Sequence, residues 1–359
     1  MEYKLSEVVT IKYGKNQSEV VDIDGKYPIL GTGGIIGYSN QYLYNKPSVL
    51  IGRKGSIKNV KYIDKPFWTI DTLFYTIINE NIAIPKYLFY KLSRSDLSTY
   101  NEGSAVPSLT TATLNQIKID IPSLEEQKRI ADILTALDDK IELNNQMNQT
   151  LEEIASLLYK RWFVDFEFPD DKGNPYKSSG GEMVDSELGM IPKGWEVKEL
   201  GEVLEISSGN RPVQKSEEKT KENIFPIVGA SKIMGYTNNY ILDDTNEVLI
   251  IGRVGTLGII QKYREKIWVS DNTLIIKSNF QNYIKQYLSN VDFYSLNSGS
   301  TQPLITQTTI NKLLIVVPCN KVTNKFEKIE SSNVKIKFFN TYEIKKIQRL
   351  KLELLKELI

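Results

Sequence analysis

A pattern laid down in the first third of this 359-residue chain is written again about 200 residues later. Tyr27-Pro28-Ile29-Leu30-Gly31 returns as Phe225-Pro226-Ile227-Val228-Gly229, and Ile36-Gly37-Tyr38-Ser39-Asn40 as Met234-Gly235-Tyr236-Thr237-Asn238. Val49-Leu50-Ile51-Gly52-Arg53-Lys54-Gly55-Ser56 returns as Leu249-Ile250-Ile251-Gly252-Arg253-Val254-Gly255-Thr256. Trp68 and Asp71 are matched by Trp268 and Asp271, Gly103-Ser104 with Pro107 and Leu109 by Gly299-Ser300 with Pro303 and Ile305, and Pro122 by Pro318. The offset stays between 196 and 200 throughout, and that many ordered matches do not arise by chance. Such a chain is built from two copies of one unit, and its length already exceeds what one core usually serves.

Within each copy, short β-rich runs (49–51 and 72–78; 248–251 and 273–276) are separated by Gly and Asn turns. A helical stretch follows at 85–97 and at 282–296, the first with Pro85 suited to a first helical position. Each unit therefore reads as α+β.

After each unit comes a long helical pattern. Residues 123–161 hold no Gly or Pro, and Ile130, Leu134, Leu137, Ile141, Leu151 and Leu158 fall at heptad spacing, with Asn144, Asn148 and Ala155 filling the seam. Ser123 with Glu126 three residues on predicts a capping box. At 1.5 Å per residue the helix would run roughly 55 Å, long for a globular helix. The second pattern covers 320–359, with Val322, Phe326, Ile329, Ile336, Ile347, Leu350 and Leu354 expected in the seam and Asn333, Asn340 and Glu343 interrupting it. Residues 121–168 carry net −5 and 319–359 net +5, which favours pairing of the two helices with each other over self-pairing. A twofold-like arrangement of the repeats makes that pairing antiparallel. Residues 163–193, rich in Pro, Gly, Ser and Asp, read as a connector.

Composition narrows the function. There is no histidine, which removes the Ser-His-Asp triad and the commonest metal ligand. The single cysteine, Cys319, excludes internal disulfides and a cysteine zinc site, and is expected to be a small buried or half-buried residue. No phosphate-binding loop or dinucleotide fingerprint is present. No apolar run approaches a membrane span and the N-terminus has no signal-peptide shape, so a cytoplasmic chain without cofactor or metal is expected.

The candidate binding residues lie in the repeated loops. The turns 52–56 and 252–256 place Arg53 and Arg253 between glycines, beside Lys54, Ser56, Lys58 and Thr256, types suited to phosphate or guanine contact. A solvated β-turn is about as good a reading of either turn alone. Tyr38 with Asn40 and Tyr236 with Asn238 offer an aromatic and an amide for base edges. Ser104, Thr110, Ser300, Thr301 and Gln302 belong to hydroxyl-rich loops. Trp68 and Trp268 read as core, and Asp71 and Asp271 as structural hydrogen-bonding groups.

With these features together, the sequence resembles the specificity subunits of type I restriction–modification enzymes. The resemblance is carried by Ile121-Pro122 leading into Glu126-Gln127-Lys128-Arg129-Ile130-Ala131 and by the helix exit Leu157-Leu158-Tyr159-Lys160-Arg161-Trp162-Phe163-Val164-Asp165-Phe166. Glu187-Leu188-Gly189-Met190-Ile191-Pro192-Lys193-Gly194-Trp195 and the two strand-to-arginine turns add to it. It implies two target recognition domains, at 1–121 and 190–318, separated by two long antiparallel coiled-coil helices at 122–168 and 319–359 in a pseudo-twofold, with a connector at 169–189. It implies a non-catalytic DNA reader in which each domain binds half of a split site on double-stranded DNA. The helices would set the half-site spacing and dock two methyltransferase subunits, with endonuclease subunits joining them. S-adenosylmethionine, ATP and Mg²⁺ would belong to those partners. Nothing after Ile359 matches residues 161–168, so reduced or substituted assembly contacts are expected there. The alternative is a coiled-coil scaffold presenting two modules for ligands other than DNA.

Overall fold

The structure is a computed structural model of the chain and describes residues 1–103, 105–243, 247–299 and 301–359. It divides into two compact units, Met1–Asn145 with Thr341–Ile359, and Gln146–Asn340.

In the first unit, Ser48–Gly52 lies inside a four-stranded antiparallel sheet, between Leu73–Ile78 and Val60–Ile63, with Val9–Tyr13 on the outer side of Leu73–Ile78. The unbroken apolar run follows from burial on both faces. Side chains alternate along a strand, so Val49 and Ile51 join a core with Tyr87 and Leu88 of the helix Pro85–Arg94. Leu50 turns the other way, onto Leu30, Phe67 and Leu73. A three-stranded sheet covers that side, ordered Gly34–Ser39, Tyr27–Gly31, Trp68–Thr69, the last pair parallel. Glu2–Lys4 pairs with Lys118–Asp120.

The second unit repeats this strand order. Glu205–Ser208, Thr273–Lys277, Val248–Gly252 and Ile260–Tyr263 form its larger sheet, and Ile233–Thr237, Phe225–Val228 and Trp268–Val269 its smaller one. Glu196–Glu199 pairs with Leu314–Val317. Residues 163–193 lie against this unit: Phe168 stacks on Tyr176 and Trp195, at 4.6 and 4.9 Å between ring centres.

The two long helices are Leu124–Tyr159, which widens into a π turn over Lys160–Val164, and Asn320–Leu358. In the first unit Asp138 pairs with Lys351 while Lys140 and Asn144 meet Glu343, so numbering rises on one helix as it falls on the other. The second unit shows the same antiparallel sense, with Asn148 on Asn340 and Glu152 on Lys337. Only half of the expected capping box forms. Ser123 Oγ accepts from Glu126 N–H at 3.3 Å, but the Glu126 carboxylate turns to Arg129, one turn on.

The seam on the first long helix is apolar where the sequence predicts it: Ile130, Leu134 and Ala155 are buried, and Leu137, Ile141, Leu151 and Leu158 half-buried. On the second, Val322, Phe326 and Ile347 are buried and Leu354 is half-buried, but Ile336 and Leu350 are 42% and 44% exposed. Ile329 is exposed as well. Those expectations are corrected: the seam passes through Glu330, Asn333, Lys337, Asn340, Ile347 and Lys351, and its polar members bond across it or along it. Cys319 is exposed, against expectation, because it opens the second long helix, where its carbonyl accepts from Val322 and Thr323 N–H. Among the described residues no helix is long and apolar enough to cross a membrane.

Each unit also grips a long helix through a polar side chain, buried in the first unit and half-buried in the second. Gln127, fully buried, accepts Ile84 N–H at 2.8 Å, the end of the helix Pro85–Arg94, and donates to the carbonyls of Ile82 and Pro122. In the second unit Glu327 caps the helix Gln281–Ser289, accepting from Tyr283 N–H at 2.8 Å and Asn282 Nδ2 at 2.7 Å. Burial raises the Glu327 carboxyl above the usual range, and those bonds offset part of the rise.

Candidate nucleic-acid interface

The central strand of each large sheet delivers its arginine to one edge of the unit. Arg53 N–H donates to Thr72 O and its carbonyl accepts from Leu109 N–H, so the turn is sewn to two neighbouring segments. Arg253 makes the same pair of bonds, with Asn272 O and Ile305 N–H. Gly55 and Gly255 follow at φ +79 and +77, a region that glycine enters without strain. Their N–H groups donate to Pro107 O and Pro303 O at 2.9 and 3.0 Å. The apolar strand fixes the backbone, and the turn leaves Lys54, Ser56 and Thr256 exposed while Arg53 and Arg253 stay half-buried.

The loop facing each turn has its own clamp. Asn101 Oδ1 accepts from Gly103 N–H and Ser108 N–H at 2.9 and 2.8 Å; Asn297 Oδ1 accepts from Gly299 and Leu304 at the same two distances. Sequence reasoning missed both asparagines, although each stands two residues before the repeated Gly-Ser. Ser104 and Ser300 lie outside the described residues. Thr301 and Gln302 are exposed on the second loop.

The guanidinium groups are held differently. Arg53 lies over the Tyr13 ring, 5.1 Å from its centre, and donates through Nη1 to Asp71 O at 3.0 Å. Arg253 donates through Nη1 to Ser208 Oγ at 3.2 Å, and its Nε is buried with no partner among the described residues. Tyr13 and Ser208 occupy corresponding strand ends, opposite Phe74 and Leu274. The repeat thus preserves where the arginine stands and varies what steadies it.

Other candidates divide into free and committed groups. Lys54, Ser56 and Thr256 are exposed, Tyr38 is 44% exposed and Tyr236 half-buried. Lys58 sits 3.8 Å from Asp96, both well exposed, a pair of small energetic weight. Hydrogen bonds from Ser98 and the nearby Lys58 charge hold the Asp96 carboxyl below its ordinary value. Asn40 Nδ2 donates to Asp22 Oδ2 at 2.6 Å and Asn238 Nδ2 to Gln214 Oε1 at 3.0 Å, so both amides tether the loop preceding their hairpin. Thr110 Oγ1 accepts from Thr113 N–H at 3.2 Å and caps the short helix Thr111–Gln116. Trp68 is buried and donates to Lys15 O at 3.0 Å; Trp268 donates to Asn210 O at 2.7 Å.

This doubled geometry coincides with a known family. Residues 1–153 and 192–351 match the family model of the type I restriction modification DNA specificity domain. The chain belongs to that family. It is 28% identical over 316 residues to the type I restriction enzyme MjaIX specificity subunit of Methanocaldococcus jannaschii, covering 80% of this chain and 71% of that one. Against the type I restriction enzyme HindI specificity subunit of Haemophilus influenzae it is 25% identical over 373 residues, covering 81% and 80%. Its fold is like that of the type I restriction–modification system S subunit from M. genitalium, with a TM-score of 0.71 at 17% identity over 100% of this chain and 96% of the other. Each matched specificity domain contains one arginine turn with its asparagine-clamped loop and runs on into, or from, a long helix. That division follows the repeat.

Proposed function

We propose that this chain is the sequence-reading, non-catalytic subunit of a type I restriction–modification enzyme. Residues 1–121 and 190–318 each read one half of a split site on double-stranded DNA; 169–189 connects them. The helices at 122–168 and 319–359 fix the half-site spacing and dock two methyltransferase subunits, and endonuclease subunits join that assembly in the cytoplasm. The observation that carries this reading is the arginine turn, built twice from matching backbone bonds on two specificity domains. An arginine at such a turn can reach guanine O6 and N7 in the major groove.

Arg53, Lys54, Ser56, Lys58, Tyr38 and Thr256 with Arg253, Tyr236, Thr301 and Gln302 form the contact set. Ser104 and Ser300 stay in it on sequence grounds. Thr110, Asn40 and Asn238 act by holding the surface in shape, since their polar groups are engaged within the unit. With net charge of only +1, affinity rests on these local cations and on the partner subunits.

Co-expression with the methyltransferase subunits of its own system, followed by methylome sequencing, tests the reading. The expected result is a new bipartite adenine motif. A methylome indistinguishable from that of cells lacking this chain would overturn it.

A further inference from the structure

The smaller sheet of each unit ends in a hairpin whose tip is built for something other than a core. In the first unit the pairing of Tyr27–Gly31 with Gly34–Ser39 shifts register between Ile29 and Leu30, leaving Ile36 without an opposite residue. In the second unit the shift falls at the corresponding place, between Ile227 and Val228, and Met234 is the unpaired residue. Regular strands send successive side chains to opposite faces. A bulge breaks that alternation and re-aims side chains. Here two successive apolar residues both stand in water: Ile35 and Ile36 are 53% and 52% exposed, Ile233 and Met234 45% and 40%. Scattered exposed apolar residues are ordinary; a bulged apolar pair repeated at corresponding places in two units is not.

Both tips adjoin their arginine turn. Beside the first, Ile70 N–H donates to Leu30 O, and the next carbonyl, of Asp71, is the acceptor for Arg53. Beside the second, a Cβ on Gly252, the residue before Arg253, would lie 2.8 Å from Ala230 Cβ. Each tip is braced from the larger sheet, by Lys61 Nζ on Gly31 O in one unit and Gln261 Nε2 on Gly229 O in the other. Lys61 brings a cation to the first tip, and Lys232 is exposed on the second. Asp271 beside the second tip pairs with Arg211 at 3.5 Å, while Asp71 beside the first is exposed.

Resting on the DNA-reading function above, we infer that each hairpin tip presses its apolar pair against the bases of its half-site while the neighbouring arginine makes the polar contact. The occupant is duplex DNA, because the apolar pair is bordered by cations as a groove-binding element requires. The chemistry is apolar contact with a base, offered either by thymine methyl groups or by the face of a partly unstacked step.

The test uses the full chain with its methyltransferase subunits and a duplex carrying the bipartite motif that methylome sequencing identifies. Failure to find any motif would strike the function itself and leave the tips out of account. Given a motif, Ile35→Ser with Ile36→Ser is expected to weaken cognate binding about tenfold or more and to relax methylation in one half-site. Binding to unrelated duplex and co-purification of the methyltransferase should not change, and Ile36→Val alone should retain most of the affinity. Thymine-to-uracil substitution that reproduces the loss in the wild type, with no added effect in the variant, identifies the methyl groups. A 2-aminopurine signal that rises with the wild type and not with the variant identifies the unstacked step. An unchanged motif and affinity in the variant would overturn the inference. So would lost affinity with neither base probe responding, or lost methyltransferase with DNA affinity intact, which would make the tips a protein-docking surface.

Discussion

Asn144 Nδ2 donates to Glu343 Oε2 at 2.8 Å, carrying a hydrogen bond from one long helix to the other where Asn144 is fully buried. Glu343 also takes Lys140 at 3.2 Å, and its carboxyl lies below the ordinary value because Asn144 and Lys140 hydrogen-bond to it. The Oδ1 of the same asparagine has no partner among the described residues. A buried amide with one unsatisfied atom is a poor stabiliser and a good specifier of register. Replacing Asn144 by Leu should raise stability in urea unfolding by about 1 kcal/mol, while the spacing between the two halves of the methylated motif becomes less strictly fixed. Unaltered spacing in the more stable variant would deny the amide a role in register.

Gln127 joins its unit to the helix that follows, and its loss should be felt. Alanine there would leave Ile84 N–H and Ile82 O without their side-chain partner in a part-buried place, a cost of about 1–3 kcal/mol. Denaturant unfolding of Gln127→Ala checks this; Gln127→Glu should also destabilise, because a carboxylate cannot donate to the two carbonyls.

Glu330 sets a pH dependence. It is buried in the seam, and burial raises its carboxyl above 4.5 despite the bond from Asn333 and the charges of Lys337 and Lys285, with Glu152 adding to the rise. The folded protein therefore holds this proton more tightly than the unfolded chain does. The group favours the fold below its unfolded pKa and penalises it once pH climbs past the raised one. Glu330→Gln should be more stable than wild type at pH 7, with the difference shrinking as pH falls toward 4.5. A difference independent of pH would contradict this. Glu152 behaves oppositely: burial pushes its carboxyl up, but hydrogen bonds from Lys285 and Lys337 prevail and leave it lowered.

Arg53→Ala and Arg253→Ala should each weaken cognate DNA binding by about 1–3 kcal/mol and relax one position in one half-site. Electrophoretic or anisotropy titrations at fixed salt check the first, and methylome comparison the second. Equal affinity in both variants would return the turns to a purely structural role.

Much of this architecture is legible in the sequence because it is written in apolar periodicity. The repeat, the doubly buried strand at Val49–Ile51 and the first helix seam are all carried by side chains that have only one place to go. The second helix is harder to read for the same reason. Its seam runs through Glu330, Asn333, Lys337 and Asn340, so Ile336 draws the eye one residue away from the contact. Polar ties are invisible at this level. Nothing in the order of residues tells that Asn40 bonds Asp22, or that Asn101 reaches seven residues on to Ser108. Those bonds decide which candidate side chains remain available to DNA.

Separate reading of the two halves of one split site by the two specificity domains is tested by exchanging residues 1–121 for the corresponding segment of a relative with a different motif, and sequencing the methylome of cells that also carry the methyltransferase. One half of the motif should change, with the other half and the spacing between them kept. A change in both halves, or in neither, would contradict it.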